Sequence, residues 1–529
     1  MLNSAIGSRG IVTASHNLAA QAGLAVLRDG GNAIEAMIAA AAAIAVVYPH
    51  MNALGGDGFW LIAAPGREPV GIDACGAAGR NVSAALYRQA GKDAVPTRGA
   101  LAANTVAGTV SGWGKALDVS ASWGGKLPLS RLLEDAIHWA ETGIAPSAGQ
   151  IELTAQKLSE LVDVPGFSDT FAPAAKPPAA DQRFRQQRLA ASLRMLCAHG
   201  LDSFYRGPLG RMIAADLERA GSPITLDDLE RHEARLVTPL AVELGGALVY
   251  NLPPPTQGLA TLITLGLFDR LQVRAEDEFE LVHALVECTK QAFLVRDARI
   301  TDPAYMGVDP QQFLAAQWLD ACVARIDPCK ALPWPDAGPH SDTVWLGVID
   351  GQGRAVSFIQ SIYWEFGSGI VLQDSGILWQ NRGCSFQLAP GSRQELRPGR
   401  KPFHTLNPSA ARFSDGRTMV LGAMGGEGQP QTQAAVFARY ARFAMPLQRA
   451  VTAPRWLLGR TWGADSASLK LESRFDPTVA ERLRACGHRV EIIGAFDELA
   501  GHAGALVRSA DGLLEGAADP RGNGCAAAY

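Results

Sequence analysis

Asp342-Thr343-Val344-Trp345-Leu346-Gly347-Val348-Ile349-Asp350 lies deep in the second half of the chain, and its reading decides the fold. This short apolar run is bounded upstream by the Pro/Gly-rich stretch from Lys330 and downstream by Gly351-Gln352-Gly353, a pattern that predicts a buried strand entering a tight turn. Ala355 to Ile362 reads as its hairpin partner. Thr343 is a lone hydroxyl at the mouth of the strand, after a linker suited to exposing one peptide bond for cutting. A Thr freed at its amino end carries nucleophile and base on one residue, because an α-amino group of reference pKa about 7.7–8.0 takes the hydroxyl proton near neutral pH. An ordinary strand-initiating threonine fits the same nine residues.

The sequence around this strand narrows the choice. Thr343-x-x-x-x-Val348-x-Asp350-x-x-Gly353-x-Ala355-Val356-Ser357, then Phe366-Gly367-Ser368-Gly369-Ile370 and Ser375-Gly376-Ile377-Leu378, resembles the start of the small subunit of γ-glutamyltranspeptidases. Those are self-cleaving amidohydrolases with an N-terminal Thr nucleophile. Upstream, Gly30-Gly31-Asn32-Ala33-Ile34 and Pro49-His50 with Leu54-Gly55-Gly56-Asp57-Gly58-Phe59 are similar to signatures of the large subunit. Pro454-Arg455-Trp456 and Asp519-Pro520-Arg521 extend the resemblance over nearly the whole chain. It implies an α+β fold, the four-layer αββα sandwich of N-terminal-nucleophile hydrolases with two central antiparallel sheets. It also implies cleavage at Asp342–Thr343 into segments 1–342 and 343–529, which stay together as one intertwined domain of two chains.

Composition sets outer bounds. With 529 residues, 47% hydrophobic, 19% charged and a net charge of −4, the chain is that of an ordinary globular protein with no electrostatic case for nucleic acid. The eight cysteines are scattered without a CxxC pair, which suits a reducing compartment rather than a zinc site or disulfide framework. The first ten residues lack the basic and apolar regions of a signal peptide, so a cytoplasmic location is expected. Ala36 to Val47 is apolar on all sides but falls short of the ~20 residues that span a bilayer, so it reads as a buried helix.

Other elements follow from local signals. Residues 17–30 have helical spacing and stop at Gly30-Gly31. Asn32 with Glu35 makes a capping box for the next helix, which runs to Pro49. Trp60 to Ala64 reads as a strand, and the glycines before it as aids to close helix–strand packing. Leu129 to Thr142, Gln187 to His199 and Leu209 to Ala220 read as amphipathic helices, and Leu248 to Leu252 as a strand. Helix 279–299 mixes Glu287, Lys290, Arg296, Asp297 and Arg299, most simply a salt-bridged helix face, with catalysis a poor second. Thr418 to Gly422 predicts a strand running into Gly425-Gly426, with a helix from Gln431 to Phe443.

An amide hydrolase needs a nucleophile, a base, donors for an oxyanion and groups that orient substrate. Thr343 supplies the first two. The resemblance puts a hydroxyl that bonds the nucleophile at Ser361 and the oxyanion amides at Gly425 and Gly426. By residue type alone, Ser361 is equally a strand serine, and a lone Gly-Gly is a weak signal. The ten histidines form no HExxH or other metal pair, no GxSxG elbow is present, and no cofactor is called for. His404 stands in Lys401-Pro402-Phe403-His404-Thr405-Leu406-Asn407-Pro408, where the resembled family binds a substrate carboxylate; a structural loop histidine fits as well.

The substrate expectation is a small anionic amide. Matching Asp73 to Tyr87 to the family places Ala84 where an Arg holds the glutamyl α-carboxylate, and the groups that meet the α-amino end fall at Ser385 and Tyr363. The paired serines fall at His404 and Thr405, and Arg382 remains as a further donor. Loss of both clamps argues against a glutamyl head group, since truncating one partner of a buried charge pair costs roughly 2–5 kcal/mol. Tyr363 and Trp364 also narrow the cavity. Together with a resemblance to cytoplasmic oxamate amidohydrolases of purine-ring breakdown in the same superfamily, this gives oxamate, the monoamide of oxalate, as the specific expectation. The alternatives are a γ-glutamyl hydrolase or transpeptidase, a β-lactam-type acylase, and a non-catalytic single-chain homologue.

Overall fold

The computed structural model describes residues 3–274, 277–334, 342–459 and 468–529. Among them, strand Asp342–Asp350 pairs antiparallel with Ala355–Tyr363, the expected hairpin. Its alternation explains the layers. Val344, Leu346 and Val348 face one apolar cluster with the helices Asn17–Arg28 and Ala33–Val47, while Trp345 and Ile349 face a second cluster shared with Val420, Leu506 and Leu514 of another sheet. A strand buried on both faces reads as a continuous apolar run, as this one does.

Two seven-stranded sheets carry the fold. One runs in the order Cys525–Ala528, Gly10–Ala14, Asp342–Asp350, Ala355–Tyr363, Asp57–Ala63, Val70–Ala74, Arg235–Val237. The other runs Ala5–Gly7, Leu514–Ala518, Ala503–Arg508, Thr418–Ala423, Ser409–Phe413, Ala247–Asn251, Leu240–Leu244. Neighbours within each sheet are antiparallel. Helices Gly258–Arg270, Glu278–Arg299 and Gln429–Phe437 pack on the outer face of the second sheet, completing the four-layer αββα arrangement. Both sheets combine strands from before and after residue 342, so neither stretch owns a sheet.

Trp345 fixes the distance between the sheets. A Cβ placed on Gly422 would lie 2.0 Å from its ring and one on Gly504 2.4 Å, so the indole fills a slot that only glycines leave open. Its Nε1 donates to Ser357 Oγ at 2.9 Å.

Several local expectations need adjustment. The strand expected from Trp60 begins at Asp57, and 129–142 is two helices, Leu129–Leu132 and Glu134–Thr142. The helix after Gly425-Gly426 starts at Gln429, earlier than Gln431, because Pro430 suits its first turn. The mixed charges of helix Glu278–Arg299 form ion pairs as expected, several of them inside the protein. Glu287, Lys290 and Arg296 are buried, and Lys290 Nζ donates to Glu287 at 2.6 Å, so part of that face is an internal ion-pair network and not a solvated surface. Among the described residues, no helix is long and apolar enough to cross a membrane.

Candidate active site

Thr343 sits in an irregularity of the central hairpin. Asp342 is opposite Tyr363 and Val344 opposite Gln360, so the single residue Thr343 faces two, Ser361 and Ile362. Such a bulge re-aims a side chain and interrupts the ladder. Thr343 is fully buried, and Gln429 Nε2 donates to its Oγ1 at 3.4 Å. Ser361 is also buried, and its Oγ accepts the Tyr363 N–H at 2.8 Å, a tight turn that leaves Tyr363 at φ +83°. Of the linker expected before Thr343, residues 335–341 lie outside the described residues.

The glycines before Asp57 serve this hairpin. A Cβ on Gly56 would lie 2.2 Å from the Ser361 carbonyl oxygen, and one on Gly55 2.2 Å from that of Leu378. They permit the Asp57 strand and a neighbouring loop to close on Ser361, in place of the helix–strand packing expected from sequence.

Strand Thr418–Ala423 is followed by Met424, whose N–H donates to the His502 carbonyl, and the chain then turns through Gly425 at φ 112° and Gly426 at φ 55°. The left-handed region favours glycine, and at these two positions it directs the turn into the helix starting at Gln429. Neither Gly425 N–H nor Gly426 N–H has an acceptor among the described residues. The Gly426 carbonyl accepts from Gln257 Nε2 at 2.8 Å, and the same nitrogen donates to the Thr405 carbonyl at 2.7 Å. Gln257 Oε1 accepts from Arg296 Nη1 at 3.2 Å, and Arg296 Nη2 lies 3.4 Å from Glu427. One carboxamide therefore ties the glycine turn to the loop of His404 and Thr405.

Arg382 is the charged centre of the site. Its guanidinium is 1% exposed, lies 3.6 Å above the Tyr363 ring, and donates to Thr405 Oγ1 at 3.4 Å and to the Phe403 carbonyl. These contacts are all neutral, and among the described residues its Nε has no partner. Burial lowers its pKa. Ser385, half-buried, closes the same turn by donating to the Arg382 carbonyl at 3.0 Å.

His404 Nε2 lies 3.0 Å from Asp57 Oδ2. Burial holds the imidazole well below its ordinary pKa, so it is neutral. Burial also pushes Asp57 up to about 7, against the Gly76, Gly108 and Gln380 donors on its Oδ1. Sequence reasoning singled out His404 but missed Asp57, Gln257 and Gln429. Asp57 stood in a loop dominated by glycine, and Gln429 was marked only by lying three residues beyond Gly426. Ala84, the position of the missing clamp, opens helix Ala84–Gln89 after its Ser83 cap.

A second cluster lies outside this site. His283, Glu287 and His488 bring metal-type ligand atoms within 4.8 Å of one another, a convergence that histidine spacing alone did not reveal. Its hydrogen bonds are already made: His283 Nδ1 to His488 Nε2 at 2.9 Å, His283 Nε2 to the Asp327 carbonyl at 2.8 Å, and Lys290 to Glu287.

The chain is similar to known proteins over its whole length. The chain is 55% identical over 530 residues to the oxamate amidohydrolase proenzyme of Klebsiella pneumoniae subsp. pneumoniae, covering 100% of both. It is 39% identical to a glutathione hydrolase-like proenzyme of Bacillus subtilis, covering 99% of both. The crystal structure of cephalosporin acylase from Bacillus halodurans superposes with a TM-score of 0.92 at 31% identity, covering 100% of this chain and 97% of that one. The family model described as gamma-glutamyltranspeptidase matches residues 19–529. The chain therefore belongs to the gamma-glutamyltranspeptidase family, whose N-terminal-nucleophile architecture it shares.

Proposed function

We propose that this protein is a self-processing amidohydrolase that uses Thr343 to hydrolyse a small anionic amide, with oxamate giving oxalate and ammonia. The observation that carries the substrate class is Arg382: a buried guanidinium beside the Thr343 hairpin, whose contacts among the described residues are the Tyr363 ring, the Thr405 hydroxyl and the Phe403 carbonyl, is suited to an anion brought by the substrate. The 55% identity to an oxamate amidohydrolase proenzyme supports the acyl group.

In processing, Thr343 Oγ attacks the Asp342 carbonyl and the acyl group moves from nitrogen to oxygen. Water then hydrolyses the ester, leaving the Asp342 carboxylate and a free Thr343 α-amine. In turnover, that amine takes the Oγ proton as Oγ adds to the amide carbon, and the Gly425 and Gly426 N–H groups receive the oxyanion. Collapse expels ammonia with the proton returned by the α-ammonium, and water releases oxalate from the ester. Ser361 supports the nucleophile, while Arg382 and Thr405 hold the carboxylate, with the neutral His404 and Tyr363 as the walls. The eight cysteines, none in a disulfide, support a reducing, cytoplasmic setting.

The likeness to cephalosporin acylase favours a second reading, an acylase for a longer acyl amide. Product release from oxamate, a γ-glutamyl anilide and a long-chain acyl amide separates the readings. Oxamate is expected to dominate, and fast turnover of either other amide with inert oxamate would overturn the assignment.

A further inference from the structure

Gln429 touches the nucleophile with its carboxamide, yet the reaction above gives it no task. It is fully buried, its Nε2 donates to Thr343 Oγ1 at 3.4 Å, and its Oε1 has no partner among the described residues. A buried amide oxygen left without a donor is costly to keep unless a ligand supplies one. Its place in the fold is held: Gln429 opens helix Gln429–Phe437 directly after the Gly425-Gly426 turn, with Pro430 setting the backbone of the first turn.

We infer that the Gln429 carboxamide pairs with the carboxamide of the substrate and makes this enzyme selective for primary amides. The inference rests on Thr343 being the nucleophile for a small anionic amide. A side-chain carboxamide offers a donor and an acceptor side by side. A primary amide offers the complementary pair, its carbonyl oxygen and the N–H on the same side as that oxygen. Nε2 beside Thr343 Oγ1 is placed to donate to the substrate oxygen as charge develops there, adding to the two glycine amides. Oε1 accepts the N–H of the departing –NH2. In an ordinary trans secondary amide the substituent occupies the position of that N–H, so the acceptor meets carbon and stays unsatisfied. Gln429 would thus touch the reacting amide itself and exclude N-substituted substrates, whatever acyl group they carry.

The test compares primary amides with their N-methyl derivatives. Kinetics of oxamate, malonamate and succinamate, and of the three N-methyl amides, are measured on wild type and on Gln429→Met, which keeps length and loses both polar atoms. Intact mass and thermal melting establish that each protein is processed and folded. Wild type is expected to prefer the primary amide by on the order of 10²-fold in kcat/KM. In Gln429→Met the primary amide should fall by a similar factor while the N-methyl amide moves little, collapsing the ratio. Equal use of both amides by wild type, or an unchanged ratio in the variant, overturns the inference, and the wild-type ratio decides even if the variant does not fold. If oxamate is inert but malonamate or succinamate shows the ratio, the acyl assignment fails and the role of Gln429 stands.

Discussion

At Arg382 the guanidinium has exchanged water for an aromatic face, a hydroxyl and a backbone carbonyl, none of which neutralises its charge. The Arg382→Lys variant keeps a positive charge but loses the planar fork. It should raise KM for oxamate by roughly 10- to 1,000-fold with a smaller effect on kcat; an unchanged KM would place the carboxylate elsewhere. At Thr343 the expectation is all-or-none. Thr343→Ala should remain one uncut, inactive chain of 529 residues by intact mass, whereas wild type separates into 1–342 and 343–529; an active wild type with that bond intact would refute the mechanism. The roles proposed for Thr343, Ser361 and the two glycines came from the family resemblance, whereas the strand at Thr343 and the turn at Gly425-Gly426 were legible from local pattern. Asp57 and Gln429 were not, because their meaning comes from partners hundreds or tens of residues away, His404 for one and Thr343 for the other.

The elements around Trp345 show how far periodicity reaches. The run from Asp342 to Asp350 announces a strand buried on both faces, but nothing local tells that Gly422 and Gly504, on other strands, are shaped around one indole. Gly422→Ala should destabilise the protein by about 1–3 kcal/mol, since the new methyl would lie 2.0 Å from the ring. Adding Trp345→Phe should recover part of the loss, and strictly additive unfolding energies in that double-mutant cycle would refute the contact as the cause. On the glycine turn, Gly425→Ala carries the strain of a left-handed backbone at a proposed oxyanion donor. It should cut turnover by roughly 10²–10³-fold with the helices intact by circular dichroism; full activity would remove the turn from the site. Helix Glu278–Arg299 is salt-bridged as expected, but its burial was not legible: mixed charges on one face look the same in sequence whether water or an internal network surrounds them.

Over the whole molecule, burial of ionisable groups sets the response to acid. Desolvation lowers His16, His232 and His502 to about 4, and His50 and His488 to about 3. Below about 6.5 the unfolded chain takes protons on these rings that the folded chain refuses. Stability is therefore complete above that pH and falls towards pH 4, each ring contributing on the order of 1 kcal/mol per pH unit. Asp57 runs the other way. Raised to about 7, it holds in the folded state a proton that the unfolded chain sheds above about 4, so its contribution is lost as pH rises to 7. Urea midpoints of the uncut Thr343→Ala chain should fall between pH 7.5 and 5, and more steeply when Asp57→Asn is added. A flat profile would show that the rings are charged in the folded state.

The interleaving of strands from both sides of residue 342 has a consequence for the life of the protein after the proposed cut. The precursor is one polymer that finds its sheets by a unimolecular search. Once the bond is broken, the same sheets demand that two polymers meet, because each sheet joins blocks of strands from both segments across shared ladders. The precursor variant should regain its structure from urea at a rate independent of concentration. The matured enzyme should do so slowly, in proportion to its concentration, or aggregate. Maturation would then be a ratchet: it commits each molecule to the one folding event it has already completed, and durability from then on is set by how slowly the pair comes apart.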